Sequence, residues 1–246
     1  MTIAKWLMLA LGLALSGAGW GLEDQRIYYR VTHRDLRRCA APLCGGYFVQ
    51  VVNRHLTRCA DGSEQAECYA CSIEYSALGP APPGRKEFAE EFGEGFGLAK
   101  GDLQNRPSPF GVAVGVLQAT AAWRAQAEKP PTGRFYKVQD AGIRCIAAPC
   151  SSYREDRLNR RRGGLIAEVD LQSSVASAEQ VAQGQKRLVI DGILVAGHHV
   201  WVSGPGGKAV KLVASEFYLR ELPASAGAGS SPKSCGSNQG RSCPQG

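Results

Sequence analysis

Two short stretches, each bracketed by a pair of cysteines, determine the predicted architecture of this chain. Residues 39–47 are CAAPLCGGY and residues 145–153 are CIAAPCSSY. An aromatic-Tyr-basic-Val stretch precedes each of them, at residues 28–31 and 135–138, and an asparagine follows each, Asn53 or Asn159. The separation between the copies changes only from 107 residues at the first aromatic to 106 at the first cysteine. Recurrence of so many features in one order predicts an internal duplication.

The duplication divides the chain into two modules. We expect module 1 at residues 22–125 and module 2 at residues 134–222, which are common domain sizes. Residues 126–133, QAEKPPTG, are polar and contain two prolines, which is typical of a linker. Residues 223–246 are rich in Gly, Ser, Ala and Pro and predict a flexible, Cys-containing tail.

Each module is predicted to be α+β and β-dominant, a small antiparallel sheet with one short helix, disulfide-stapled. Runs rich in β-branched and aromatic residues between turn residues predict the strands. These are residues 27–32, 47–52, 69–77 and 111–117 in module 1, and 165–171, 187–190, 193–196 and 199–202 in module 2. The helices are expected at 85–92 and 174–183. Asp191-Gly192 lies between two apolar runs and predicts a hairpin turn.

The N-terminus has the pattern of a secretory signal peptide. Lys5 precedes the apolar run WLMLALGLALSGA at residues 6–18, which is shorter than the about 20 residues of a membrane span. Cleavage is expected by residue 21, with an uncleaved anchor as the alternative. No later run of the sequence is apolar enough to span a bilayer. We therefore expect a periplasmic or secreted protein.

Export favours disulfides over thiolate chemistry. The chain has nine cysteines, so a monomer keeps at least one unpaired. The expected pairs are Cys39–Cys44, Cys145–Cys150, Cys59–Cys68 and Cys235–Cys243. Cys71 falls on the apolar side of a predicted strand and is expected to be a buried free thiol. A metal site or a redox pair built on Cys68-x2-Cys71 is the weaker alternative, because no second such pair follows.

No catalytic constellation stands out in the sequence. The four histidines lack metal-ligand spacing, and neither a nucleophile elbow nor a phosphate loop is present. We therefore expect no cofactor and no metal, and a non-enzymatic binding protein. A hydrolase with an unrecognised site stays open as an alternative.

Two features predict binding surfaces. The Cys loops, with Pro42, Leu43 and Pro149, are apolar and restrained, which would suit a protease inhibitor, although pinning two strands is the simpler interpretation. Arginines cluster around the loops: Arg34, Arg37 and Arg38 before the first, and Arg154, Arg157, Arg160, Arg161 and Arg162 after the second. The whole chain has a formal net charge of +7. Together with the arginine clusters, this charge favours a protein or an anionic envelope component as partner. Nucleic acid fits less well, because no aromatics are interleaved in the sequence.

The first module also resembles a known family. The stretches CAAPLCGGYFV (39–49), VNR (52–54), TRCADG (57–62) and ECYA (67–70) are similar to an uncharacterised domain family of exported bacterial proteins. In that family the module often occurs twice, sometimes before a Cys-rich tail that begins like residues 235–237. The resemblance extends from Tyr28 to Tyr218 and is weaker in the second copy, which lacks counterparts of Cys59 and Cys68. Because that family has no assigned function, the resemblance implies a bacterial, envelope or secreted setting and indicates no particular activity.

Overall fold

The computed structural model describes residues 27–75, 92, 95, 97–127 and 129–221. We refer to residues 27–127 as the first half and residues 129–221 as the second half. The predicted signal peptide, the tail with the Cys235–Cys243 pair and the helix expected at 85–92, except for Phe92, lie outside the described residues.

Strands make up most of the first half. They are β1 Ile27–Arg34, β2 Tyr47–Val51, β3 Thr57–Arg58, β4 Glu64–Gln65, β5 Cys68–Ala70, β6 Ser72–Glu74, β7 Gly97–Pro107 and β8 Ala113–Ala125. In β1, Tyr29 and Val31 are buried while their neighbours are partly or fully exposed, as period-2 alternation requires. The run predicted as one strand at 69–77 is instead divided into β5 and β6 at Cys71.

The second half contains β9 Arg134–Asp140, β10 Tyr153–Arg157, β11 Gly163–Ile166, β12 Glu168–Asp170, helix α1 Ala178–Ile190, β13 Ile193–Gly204 and β14 Gly207–Arg220. The two strands predicted at 193–196 and 199–202 form the single strand β13. A short 3-10 turn, Gln172–Ser174, precedes α1.

Helix α1 corrects the prediction at residues 187–190. The expected strand there and the hairpin at Asp191-Gly192 are wrong, because the helix continues through Ile190 and Asp191 is its C-cap. The helix begins after Ser177, whose side chain forms a capping box with Gln180. Its inner face packs tightly: a Cβ at Gly184 would lie 2.8 Å from carbon atoms of both Leu171 and Phe217. The apolar run Leu188–Ile190 therefore buries Leu188 and leaves its two neighbours exposed.

Among the described residues, twelve strands form one sheet and β3 pairs with β4 in a second, two-stranded sheet. The order in the large sheet is β11-β10-β9-β13-β14-β8-β7-β1-β2-β5, with β12 added parallel to β14 and β6 added parallel to β8. The expected small separate sheets are thus joined into one, through the antiparallel pairing of β8 with β14 at Trp123–Ala125 and Tyr218–Arg220.

Each half of the sheet closes on itself. In the first half β5 pairs with β2 while β6, one residue later, pairs with β8, so the circuit runs β1-β2-β5/β6-β8-β7-β1. In the second half β11 pairs with β10 and β12 pairs with β14, which gives β9-β10-β11/β12-β14-β13-β9. Each closed half surrounds its own apolar cluster.

A third apolar cluster joins the two halves. It includes Leu98, Trp123, Phe135, Leu194 and Tyr218, taken from both sides of the β8–β14 contact. The described part of the expected linker is bound to the sheet: the N–H groups of Gln126 and Ala127 donate to the buried Glu216 carboxylate at 3.0 and 2.9 Å. The two halves therefore share a continuous core.

Candidate binding surfaces

Three of the expected disulfides lie within the described residues and all three are present: Cys39–Cys44, Cys59–Cys68 and Cys145–Cys150. Cys71 is the one free cysteine in this part of the chain, and it is half-buried rather than buried. Because Cys59 and Cys68 are bonded to each other, Cys71 is the one thiol left of the three that the alternative metal site would need.

Both Cys loops are held against the sheet. In the first loop, residues 39–44, the Tyr69 hydroxyl donates to the Pro42 carbonyl at 2.9 Å. In the second, residues 145–150, the Gly206 N–H donates to the Ala148 carbonyl at 2.7 Å. A Cβ at Gly206 would lie only 2.8 Å from the Ala147 oxygen, so the β13–β14 turn fits closely against this loop. Both loops are thus fixed surface features.

The proline and leucine side chains predicted as loop contacts are only partly accessible. Pro42, Leu43 and Pro149 are all half-buried. The fully exposed apolar side chain is instead Ile146, at 109% relative exposure. Sequence reasoning did not single out Ile146, because alternation cannot be applied inside a four-residue loop.

The arginines before the first loop have different roles. The Asp35 carboxylate accepts hydrogen bonds from the Arg37 backbone N–H and from its Nε and Nη2, at 2.8 to 3.1 Å. These bonds hold the pKa of Asp35 down at about 2. The guanidinium also lies 5.7 Å from the Tyr69 ring centroid. Arg37 therefore organises the loop, whereas Arg34 and Arg38 are exposed and form no hydrogen bond or ion pair with the described residues.

The arginines after the second loop come together in one open cleft at the β10–β11 turn. We call this the arginine cleft; its lining residues are Arg154, Asp156, Arg160, Arg161, Arg162, Gly163, Gly164 and Leu165. All four arginines are exposed, and only Asp156 supplies a carboxylate, 3.2 Å from Arg154. Burial and the charges of Arg134, Arg160 and Arg162 lower the pKa of neighbouring Arg157. The cleft is a concentration of positive charge with little internal compensation.

Two asparagines stabilise the turns next to these surfaces: Asn53 follows β2, and Asn159 lies between β10 and β11. Asn53 and Asn159 both have positive φ, which asparagine tolerates better than most residues. Asn53 Nδ2 donates to the Phe135 carbonyl at 2.8 Å and its Oδ1 accepts from the Phe135 N–H at 3.0 Å. Asn159 makes the same two bonds to Tyr28, at 2.8 and 2.9 Å. Each half thus holds the first strand of the other half.

The bonds around the two asparagines are reciprocal in further detail. Asn53 also donates to the Leu158 carbonyl and Asn159 to the Val52 carbonyl, both at 3.0 Å. The Arg54 guanidinium reaches the Asn159 carbonyl, and the Arg160 guanidinium reaches the Asn53 carbonyl, each at 3.2 Å. Arg160 is therefore oriented at the junction of the halves and beside the cleft.

The model of the domain of unknown function DUF6748 matches residues 28–224. The chain belongs to the DUF6748 family. No curated protein and no solved structure matches it.

Rings of the first half of this DUF6748 chain form a second surface. His33, Phe48 and Tyr69 lie on three neighbouring strands and are partners in register, His33 with Phe48 and Phe48 with Tyr69. The His33 and Phe48 rings are stacked at 4.6 Å, and Phe48 meets Tyr69 edge-on at 5.8 Å. We call these three residues the aromatic row. They are far apart in sequence, so only the strand register could reveal them.

A polar cluster lies across the neighbouring strands β10, β9 and β13 of the second half. His199 Nε2 is 2.8 Å from Glu155 Oε2, and its ring is 5.0 Å from that of Tyr136. Burial first, and then the Glu155 charge, raise the pKa of Tyr136. The cluster thus joins a buried carboxylate, an imidazole and a buried phenol.

The described residues contain no group of side chains that could hold a metal ion. No helix of the described part is long and apolar enough to cross a membrane.

Proposed function

We propose that this DUF6748 protein is an exported, non-enzymatic binding protein that holds an anionic polymer of the cell envelope in the arginine cleft. The observation that carries the proposal is the grouping of Arg154, Arg160, Arg161 and Arg162 on one turn, opposed by a single carboxylate. Like charges held together lower stability unless something offsets them. A polymer with repeated carboxylate or phosphate groups would supply that compensation, since guanidinium groups bind both anions in bidentate geometry.

We also propose that the two halves are diverged copies of one closed barrel. The matching strand circuits and the reciprocal asparagine bonds support this duplication. In both circuits the third strand runs parallel to the fifth and a helix is expected before the fourth, which is the connectivity of the five-stranded OB-fold barrel. Barrels of that class bind oligonucleotides and oligosaccharides on the face of strands 2 and 3 and with the loops between strands 1–2 and 4–5. The arginine cleft lies on the corresponding strands, β10 and β11.

The duplication provides an internal comparison for the cleft. Aligned through Tyr47 and Tyr153, the first-half counterparts of Arg154, Arg161 and Arg162 are Phe48, His55 and Leu56. A barrel of this kind therefore forms without three of the four arginines. Their presence in the second half supports a role in binding rather than in folding.

The proposed location follows from the disulfides. Three described disulfides indicate an oxidising, extracytoplasmic setting. The signal peptide expected at residues 1–21 would deliver the chain there, to the bacterial periplasm or the medium. Anionic envelope polymers are abundant in that setting, whereas nucleic acid is not.

The experiment compares binding of the mature chain to an immobilised acidic polymer, polygalacturonate, at rising salt. Arg154→Gln/Arg161→Gln/Arg162→Gln, which spares Arg160 and its bond to the Asn53 carbonyl, should weaken binding at least about tenfold, because each exposed ion pair contributes roughly 0.5 to 1 kcal/mol. The matched control, Lys129→Gln/Lys186→Gln/Lys208→Gln, makes the same change in net charge at exposed positions outside the cleft. Equal losses in both triple variants would reduce the effect to net charge and refute a defined cleft.

A second candidate function rests on Ile146. A fully exposed apolar side chain on a fixed disulfide loop is the arrangement by which a protease inhibitor presents a residue to an enzyme pocket. Incubation with elastase-like serine proteases, which accept small aliphatic side chains, tests this. Inhibition that Ile146→Lys removes would support it, and no inhibition at micromolar protein would exclude it.

A further inference from the structure

We infer that the aromatic row, His33, Phe48 and Tyr69, is a stacking site for sugar rings, so that the polymer bound by this protein is an acidic polysaccharide. Only the statement that the polysaccharide is acidic rests on the proposed function. The sugar-stacking role is carried by the first half and can be tested separately.

The rings lie side by side on the outer face of β1, β2 and β5. Phe48 and Tyr69 are half-buried, and the His33 side chain is 52% exposed. Neighbouring residues Val49, Cys68 and Ala70 point to the other face and are buried in the core of the first half. The row therefore adds apolar, planar surface outside a core that is complete without it.

The second half shows that the fold does not need these rings. There, β10 pairs with β11 in the matching way, and Arg154 faces Leu165 where Phe48 faces Tyr69. Gln139 is the partner of Arg154 on the other side. The same face thus carries arginine in one half and an aromatic row in the other. Divergence at one surface of a shared framework indicates two complementary parts of one binding task.

Polar groups at the edges of the row suit sugar hydroxyls. Asp35 engages the Nε–H and one Nη2–H of Arg37, which leaves three of the five guanidinium N–H groups without a partner among the described residues. Glu67 accepts from the Thr32 hydroxyl at 2.6 Å and lies 3.8 Å from His33 Nδ1. The Arg37 guanidinium carbon lies over the Phe48 and Tyr69 rings, 6.0 and 5.7 Å from their centroids. A donor-rich guanidinium and an acceptor carboxylate are therefore both in place beside the aromatic row.

The charge around the row argues for a sugar rather than a nucleobase. Arg37 is compensated by Asp35, and Glu67 adds a further negative charge. A nucleic-acid stacking surface needs surplus positive charge along the backbone path. At the row, Asp35 and Glu67 offset Arg37, and the further positive charge is that of Arg34 and Arg38, which are exposed. A sugar ring on the row fits this arrangement and the extracytoplasmic setting better than a nucleic acid does. The acidic groups of the polymer are left for the arginine cleft.

The test separates the two surfaces by using two probes. Short neutral oligosaccharides of glucose, galactose and N-acetylglucosamine report on the aromatic row, and inorganic polyphosphate, which has no rings, reports on the arginine cleft. Binding of each to the mature chain is measured by calorimetry, and the ring resonances of His33, Phe48 and Tyr69 are followed by NMR.

The key variant is Phe48→Arg, which installs the residue that the second half carries at the same place. It should weaken binding of the neutral oligosaccharide at least about tenfold, as loss of a stacking ring does elsewhere, and leave polyphosphate binding intact or stronger. The triple glutamine variant of the cleft should do the reverse. His33→Ala, at an exposed position, provides the same readout should Phe48→Arg lower the melting temperature.

The inference is overturned if none of the neutral oligosaccharides binds at millimolar concentration, or if the variants of the row bind them as well as the natural chain does. Neutral binding that survives together with failure of the polyphosphate test would leave the row supported and refute the proposed role of the cleft. Loss of both interactions in both sets of variants would refute two separate surfaces.

Discussion

Replacing Asn53 with glycine should lower the free energy of unfolding by about 3 kcal/mol, because three hydrogen bonds across the junction are lost at about 1 kcal/mol each. The bonds are those to the Phe135 N–H, the Phe135 carbonyl and the Leu158 carbonyl. Glycine adopts the positive φ of this position without strain. Asn53→Ala should lose about 1 kcal/mol more, since a Cβ disfavours the left-handed conformation.

The measurement is equilibrium denaturation in urea with the disulfides intact, followed by fluorescence. Trp123 lies in the shared core beside the junction, so its emission reports on the joint between the halves. The double variant Asn53→Gly/Asn159→Gly should cost less than the sum of the two single variants by about 1 kcal/mol or more, because both asparagines hold the same junction. Strict additivity, or a loss below about 0.5 kcal/mol for either glycine variant, would show that the reciprocal bonds do not hold the halves together.

Three further outcomes follow from the described contacts. Burial raises the pKa of Glu216, although hydrogen bonds from backbone N–H groups act in the opposite direction. The folded chain therefore holds the Glu216 proton more tightly than the unfolded chain, and the free energy of unfolding should fall as pH rises from 4.5 through the raised pKa. Glu216→Gln should flatten that part of a pH–stability curve. Hydrogen bonds from Arg37 and Arg144 lower the pKa of Asp35 and Asp140, respectively, to about 2. The free energy of unfolding should therefore decline as pH falls from 3.8 towards 2, and it should decline less in Asp35→Asn and in Asp140→Asn. The same decline in both variants as in the natural chain would contradict this role of the two carboxylates. Gly206→Ala should cost about 1 to 3 kcal/mol by pushing the second Cys loop off the β13–β14 turn, whereas Gly164→Ala, with nothing within 4 Å of its Cβ, should be near neutral by thermal melting.

The sequence alone predicts the strand that opens the first half and the three disulfides of the described region, but not β9, which opens the second half. Tyr29 and Val31 alternate with partly or fully exposed neighbours. Cys39–Cys44 and Cys145–Cys150 lie at matching places in the two halves, whereas Cys59–Cys68 brackets a polar loop in the first half alone. Strand β7 was missed, because GLAKGDLQNRP has few β-branched residues and much of its outer part is exposed. It is formed by pairing with β1 and β8 rather than by local preference. The strand predicted at residues 187–190 is wrong because a short apolar run such as Leu188–Ile190 fits a strand and a buried helix equally well. The packing of Gly184 against Leu171 and Phe217 shows that this run belongs to the helix.

The surfaces were predicted to different extents. The arginines from Arg154 to Arg162 are close in sequence, so their grouping was predicted. That Arg157 is half-buried and does not line the cleft could be seen only in the structure. The aromatic row could not be found at all from the sequence, because 36 residues separate His33 from Tyr69 and the absence of interleaved aromatics argued against a stacking surface. The repeated asparagines were recognised as marks of duplication. That each one bonds to the opposite copy depends on the β8–β14 contact, which no local pattern encodes.

The reciprocal asparagine bonds have a consequence for how such a chain could arise. The two hydrogen bonds between Asn53 and the Phe135 backbone are matched by the two between Asn159 and the Tyr28 backbone. A two-fold axis imposes this kind of reciprocal contact on identical subunits. Under the proposed duplication, the junction is the interface of an ancestral homodimer preserved inside one polypeptide. Two copies within one chain need not be identical, and here one half carries Arg154 where the other carries Phe48. A symmetric pair would have presented the same face twice; the fused chain presents two different faces in one fixed geometry.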